Sequence, residues 1–157
     1  MVDYIFVVGP FSSGTTAVTG MLMELGAITL APMGQTNDPR TPTSLESVAF
    51  QQLCDELVSE NHLQLCEGKR IRVIPLLSGL KKAVETMKSE LPPDHQVRPM
   101  VFKRATSALF LKEIEVVFKP RFVFVNRNLE KIEQTALRRG WSPEVYGANG
   151  AKVIYSH

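Results

Sequence analysis

Hydrophobic and polar positions along this chain fall into blocks whose period changes several times. Tyr4-Ile5-Phe6-Val7-Val8 is a short apolar run, rich in β-branched and aromatic residues, that stops at Gly9-Pro10. It reads as a buried strand. After a Gly- and Ser-rich stretch, Ala17, Val18, Met21, Leu22 and Leu25 recur at helical spacing. They predict a helix over 15–25 with that stripe buried and Gly26 as its stop. Residues 31–43 are rich in Pro, Gly, Asn, Asp and Thr and read as a long loop. The next helix is expected from Thr43 or Ser44, burying Leu45, Val48, Ala49, Leu53 and Leu57.

Residues 69–77 are ambiguous, with a short strand expected at 71–74. A helix follows over 79–91, with Leu80, Ala83, Val84, Met87 and Leu91 inward and Lys81, Lys82, Glu85 and Lys88 outward; Pro92-Pro93 ends it. Met100-Val101-Phe102 reads as a brief strand, and 106–118 as a helix with Phe110, Leu111, Ile114 and Val117 on its apolar face. Residues 121–126 form the second strong strand, whose unbroken apolar centre suits cover on both faces. The last helix is expected over 129–139, with Asn128 as N-cap and Gly140 beyond it, and a short strand at 153–155. Strands alternating with helices imply an α/β fold: three α/β/α layers around a mainly parallel sheet. The 157 residues fit one such domain, 1–157.

The net charge is +2, which argues against a nucleic-acid partner, since polyanion binders carry a clustered basic excess. Tyr4–Val8 is too short for a signal core, and no run approaches the ~20 apolar residues of a membrane span. Cys54 and Cys66 have neither metal-ligand nor redox-motif spacing. They read as buried thiols of a reducing compartment, so the expected location is cytoplasmic. His62, His95 and His157 are scattered, and no metal site is expected.

The candidate chemistry begins at Gly9-Pro10-Phe11-Ser12-Ser13-Gly14-Thr15-Thr16, a G-x-x-x-x-G-x-T frame between a buried strand and a helix. In that context successive backbone N–H groups and the helix N-terminus cradle an anion, and the Thr15 and Thr16 hydroxyls can donate to it. A P-loop ATPase or kinase would carry Lys at position 15 and a carboxylate at the end of a buried strand for magnesium. This chain has Thr15 and Asn126.

Ser13-Gly14-Thr15-Thr16 after a buried strand resembles the 5′-phosphosulfate loop of the sulfotransferases. These P-loop NTPase-like enzymes use 3′-phosphoadenosine 5′-phosphosulfate (PAPS) and release 3′,5′-bisphosphoadenosine (PAP). A second likeness is Arg127 at a strand end with Thr135 eight residues on, matching the Arg and Ser that bind the 3′-phosphate. A third is Lys103 at the end of a strand, where bacterial members often carry Lys. The resemblance runs in islands from Tyr4 to Trp141. It implies that Ser12, Ser13, Gly14, Thr15, Thr16, Arg127 and Thr135 bind PAPS, without a metal. Many members carry a basic residue where this chain has Ser12, and the chain is shorter than typical members.

Sulfuryl transfer needs a base for the acceptor's proton and donors for the leaving phosphate. The resemblance implies Glu46 as the base, with Asp38 in reserve, and Lys103 as the charged donor. Thr43-Ser44-Leu45-Glu46 also reads as a capping box. Arg104 is expected to be solvated, Arg138 and Arg139 to be surface charges at a helix end, and Trp141 to be a packing residue. The implied acceptor is a small molecule or carbohydrate. The residues leave open a diverged P-loop kinase and a non-catalytic nucleotide-binding protein. Neither the acceptor nor the oligomeric state is written in the sequence.

Overall fold

The computed structural model describes residues 3–157. Strand β1, Tyr4–Val8, leads through the Gly-Ser loop into helix α1, Thr15–Glu24. Strands β2, Met33–Gln35, and β3, Thr43–Ser47, form an antiparallel hairpin. Helix α2 covers Val48–Leu57, and the two-residue strands β4, Val58–Ser59, and β5, Gln64–Leu65, pair after it. A 3₁₀ turn at Arg70–Arg72 enters helix α3, Val73–Ser89, and a single turn, α4, covers Pro93–Gln96. Strand β6, Met100–Lys103, a 3₁₀ stretch over Ala105–Phe110 and helix α5, Leu111–Phe118, come next. Strand β7, Arg121–Phe124, and helices α6, Leu129–Arg138, α7, Pro143–Tyr146, and α8, Ala148–Tyr155, complete the chain.

The chain is thus mixed α/β, with a small parallel sheet in the order β6-β1-β7. β1 is central and pairs Phe6 with both Phe102 and Phe122. Because side chains alternate across a strand, Tyr4, Phe6, Val8, Met100 and Phe102 enter one apolar cluster, while Val7 and Val101 enter another on the opposite face. The larger cluster is built on rings. Phe6 lies 5.3 Å from Phe102, 5.6 Å from Phe50 and 5.2 Å from Phe118. Helices α2, α3 and α5 add Leu53, Leu57, Val73, Leu77, Val84 and Ile114 to it. Among the described residues no helix is long and apolar enough to cross a membrane.

Several expected elements are corrected. The 31–43 loop contains β2, and Thr43–Ser47 is a strand, so α2 begins at Val48 with Ser47 as its cap. The proposed box fails because Thr43 lies in a strand and the Glu46 carboxylate, instead of accepting from the Thr43 amide, accepts from Lys103 and Arg104. The expected strand at 71–74 is a 3₁₀ turn and the first residues of α3, and Lys88 is buried there, donating to the Arg98 carbonyl. The expected strand at 153–155 is the end of α8. In α1, Ala17, Met21 and Leu25 are exposed while Thr19 is buried. β7 is an edge strand, with Phe124 67% exposed, not a strand covered on both faces.

Candidate functional site

The loop after β1 folds as a tight cradle because two glycines allow it. A Cβ on Gly9 would fall 2.6 Å from the Val125 carbonyl oxygen, so only glycine lets the loop leave beside the sheet. Gly14 caps α1 at φ +103°, and no side chain occupies the first turn's amides. Ser12 also holds a left-handed φ of +63°, an uncommon state for a residue with a Cβ. Arg127 stabilises it, its Nη1 donating to the Ser12 carbonyl at 2.7 Å. The Ser13 amide closes the turn onto the Pro10 carbonyl at 3.2 Å. The Ser12 and Ser13 hydroxyl oxygens are buried without a hydrogen-bond partner.

Lys103 arrives at the loop because it ends β6, next to β1 in the sheet. Its Nζ donates to Thr16 Oγ1 at 3.1 Å and to Glu46 Oε1 at 2.9 Å. Glu46 lies one residue before Ser47, the end of the hairpin strand and the cap of α2, and is only 8% exposed. Its other oxygen, Oε2, accepts from Arg104 Nη1 at 3.0 Å. Desolvation pulls the Lys103 ammonium below its ordinary range, and the Glu46 charge and hydrogen bond oppose it. An ionised carboxylate offers about four acceptor positions, so Glu46 keeps capacity for a further donor.

Arg104, expected to be solvated, is 7% exposed. Its Nη2 donates to Asp55 Oδ1 at 2.7 Å and to Glu60 Oε1 at 3.1 Å. Burial opposes its charge, but the three surrounding carboxylates outweigh that and raise its pKa.

These groups line one cavity of about 620 Å³, together with Ser12, Thr15 and Thr16 of the loop. The hairpin tip forms another wall through Thr36, Asp38 and Thr41, and Arg138, Arg139, Trp141 and Tyr146 close it. The two arginines are therefore cavity groups rather than plain surface charges: Arg139 Nε donates to Asp38 Oδ2 at 2.9 Å, and Arg138 Nη2 lies 3.6 Å from the same oxygen. Arg139 also stacks 4.7 Å from the Trp141 ring centre, and Trp141 meets Tyr146 at 5.2 Å. Burial first, then the charge and hydrogen bond of Glu60, push the Tyr146 phenol up.

The structure therefore brings Glu46, Lys103, Ser12, Thr15 and Thr16 to one cavity, with Ser13 and Gly14 in the loop behind it. Arg127 and Thr135 are not among the residues that line the cavity: Arg127 Nη1 donates to the Ser12 carbonyl, and the Thr135 hydroxyl donates to the Lys131 carbonyl one turn back. The missed residues are Arg104, Asp55, Glu60, Arg139 and Tyr146. Only the pair Lys103-Arg104 at a strand end signalled any of them. Comparison with protein-family models and with curated proteins gave no match.

Proposed function

We propose that this chain is a sulfotransferase-like protein with a P-loop NTPase-like, three-layer α/β/α fold. It binds PAPS without a metal and moves the sulfuryl group to a hydroxyl or amine of a small-molecule or carbohydrate acceptor. The observation that carries the reading is the Thr16–Lys103–Glu46 chain of contacts at the anion loop, at 3.1 and 2.9 Å. A cation and a carboxylate thus stand side by side at the mouth of a cradle built for an anion. The central position of β1 in a parallel sheet supports the fold.

The residues fit the cofactor. Two buried serine hydroxyls without partners and an uncapped helix start suit the oxygens of a phosphosulfate. PAPS, when bound, supplies an activated sulfuryl group. Lys103 supplies the positive charge that Ser12 lacks, and its burial strengthens any interaction it makes with a leaving oxygen. That favours turnover over the non-catalytic reading. Glu46 takes the acceptor's proton and fixes Lys103. Thr15 in the lysine position weighs against the kinase reading.

Arg127 is proposed to read the 3′-phosphate. Because it also holds the Ser12 carbonyl, Arg127→Ala has two expected effects. One is a common loss for PAP and adenosine 5′-phosphate from a loosened loop. The other is an additional loss for PAP alone of about 1.5–3 kcal/mol, the range for a hydrogen bond to a charged group. Thermal shift against both ligands separates them. Equal losses would restrict Arg127 to holding the loop.

A further inference from the structure

The cavity's cations divide into two groups. Lys103 and Arg104 face three carboxylates, buried Glu46 and the more exposed Asp55 and Glu60, so that cluster carries one negative charge in excess. Arg138 and Arg139 share a single carboxylate, Asp38, so their wall of the cavity carries one positive charge in excess. Asp38 is presented on a tight hairpin tip. Its Oδ1 accepts from the Arg40 amide at 3.0 Å, and its own carbonyl accepts from the Thr41 amide at 2.9 Å. The tip thus aims Oδ2 at two guanidiniums, one of which also lies over the Trp141 ring. A carboxylate on paired arginines is the geometry by which proteins bind anionic ligands.

We propose that Arg138 and Arg139, with Trp141, form an anion-reading subsite for the acceptor, and that Asp38 is its built-in stand-in. The acceptor is then a hydroxyl- or amine-bearing compound that carries its own carboxylate or sulfate. Calling it an acceptor rests on the sulfuryl-transfer reading; the anion subsite does not. Entry of the ligand's anion displaces Asp38 and releases the hairpin tip, opening the cavity from that side. The Asp38 carboxyl is held below its usual range chiefly by the Arg40 amide; desolvation opposes this, and Arg139 and then Arg138 add to the lowering. It is therefore an ionised competitor at neutral pH.

The test titrates D-glucuronate and D-glucose, which match in ring and differ in the carboxylate, into ¹⁵N-labelled protein with and without saturating PAP. Glucuronate should shift the Arg139 Nε–H signal and the Arg40 and Thr41 amides, and glucose should not. Asp38→Asn keeps the Oδ1 acceptor for Arg40 and removes the competing charge. If Asp38 holds the arginines nine-tenths of the time, this variant should bind glucuronate about tenfold tighter. Glu60→Gln makes the same charge change elsewhere in the cavity and should do much less. Arg139→Gln, checked for native circular dichroism, should abolish the response. Equal responses to the two sugars, no response to either, or unchanged affinity in Asp38→Asn would overturn the proposal. Glucuronate shifts in a protein that ignores PAP would uphold the subsite and remove the sulfuryl-transfer reading.

Discussion

Arg104 shows what long-range pairing does to a single residue. Its partners Glu46, Asp55 and Glu60 lie 58, 49 and 44 positions away. No local spacing announces such a cluster, and an arginine after a strand reads as a solvated strand end. Glu46 and Lys103 were singled out through the sulfotransferase resemblance, at the end of the Pro- and Thr-rich segment and of a short apolar run, and both line the cavity. The capping-box reading of Glu46 failed because Ser47 caps α2 and the Glu46 carboxylate is held by Lys103 and Arg104 from a distant strand end. Arg104 should be much more important to stability than an exposed ion pair. Arg104→Met leaves Glu46 buried with one partner fewer, and breaking a buried pair costs about 3–5 kcal/mol. Arg70→Met removes the 2.9 Å contact to Glu113 from an exposed arginine and should cost about 0–1 kcal/mol. Urea unfolding of both variants measures the difference, and similar losses would mean that the Arg104 network is not integral to the fold.

At the level of elements, strand-loop-helix around the first glycines was plain in the sequence, since a buried run, a loop and a helical period follow one another directly. β-Branched clusters misled elsewhere. Ile71-Arg72-Val73-Ile74 has strand composition, yet Val73, Leu77, Leu80 and Val84 make a helical stripe that packs the core, and packing prevails. Pro75 falls in the first turn of α3, where a missing amide is tolerated. Val153-Ile154-Tyr155 was drawn into α8 in the same way, with Ala151 and Ile154 buried. The loop after β1 gives a sharper test through Gly14, with Gly79 of α3 as its control. A Cβ meets nothing within 4 Å at either Gly14 or Gly79, but only Gly14 has positive φ. Gly14→Ala should therefore cost about 1–3 kcal/mol of backbone strain and weaken PAP. Gly79→Ala, inside α3, should stabilise by about 0.5–1 kcal/mol and leave PAP unchanged. Paired melting curves with and without ligand test this, and a neutral Gly14→Ala would contradict the loop conformation.

For the whole molecule, the sequence made an α/β class legible through alternating strands and helices. It overstated the sheet, because apolar runs do not distinguish an edge strand such as β7 from a covered one. A global consequence of the core can be read at alkaline pH. Tyr4 is buried against Phe118 and donates to Glu85 Oε1 at 3.4 Å. Burial first, and then the charge and hydrogen bond of Glu85, push its phenol from 10 up to about 12. A folded pKa above the unfolded one means the native state holds its proton more tightly. The resulting stability is complete below pH 10 and is lost as pH rises through about 12. Tyr4→Phe should remove that part of the alkaline fall in a denaturation series, and an unchanged slope would mean the phenol is not held in the core. The proposed function has the cradle and cavity serve PAPS rather than a magnesium nucleotide. Calorimetric titration of PAP, ADP and ATP, each with magnesium and with chelator, tests it most directly. PAP should bind tightest, and chelator should leave its affinity unchanged. Preference for ATP that appears only with magnesium would contradict it.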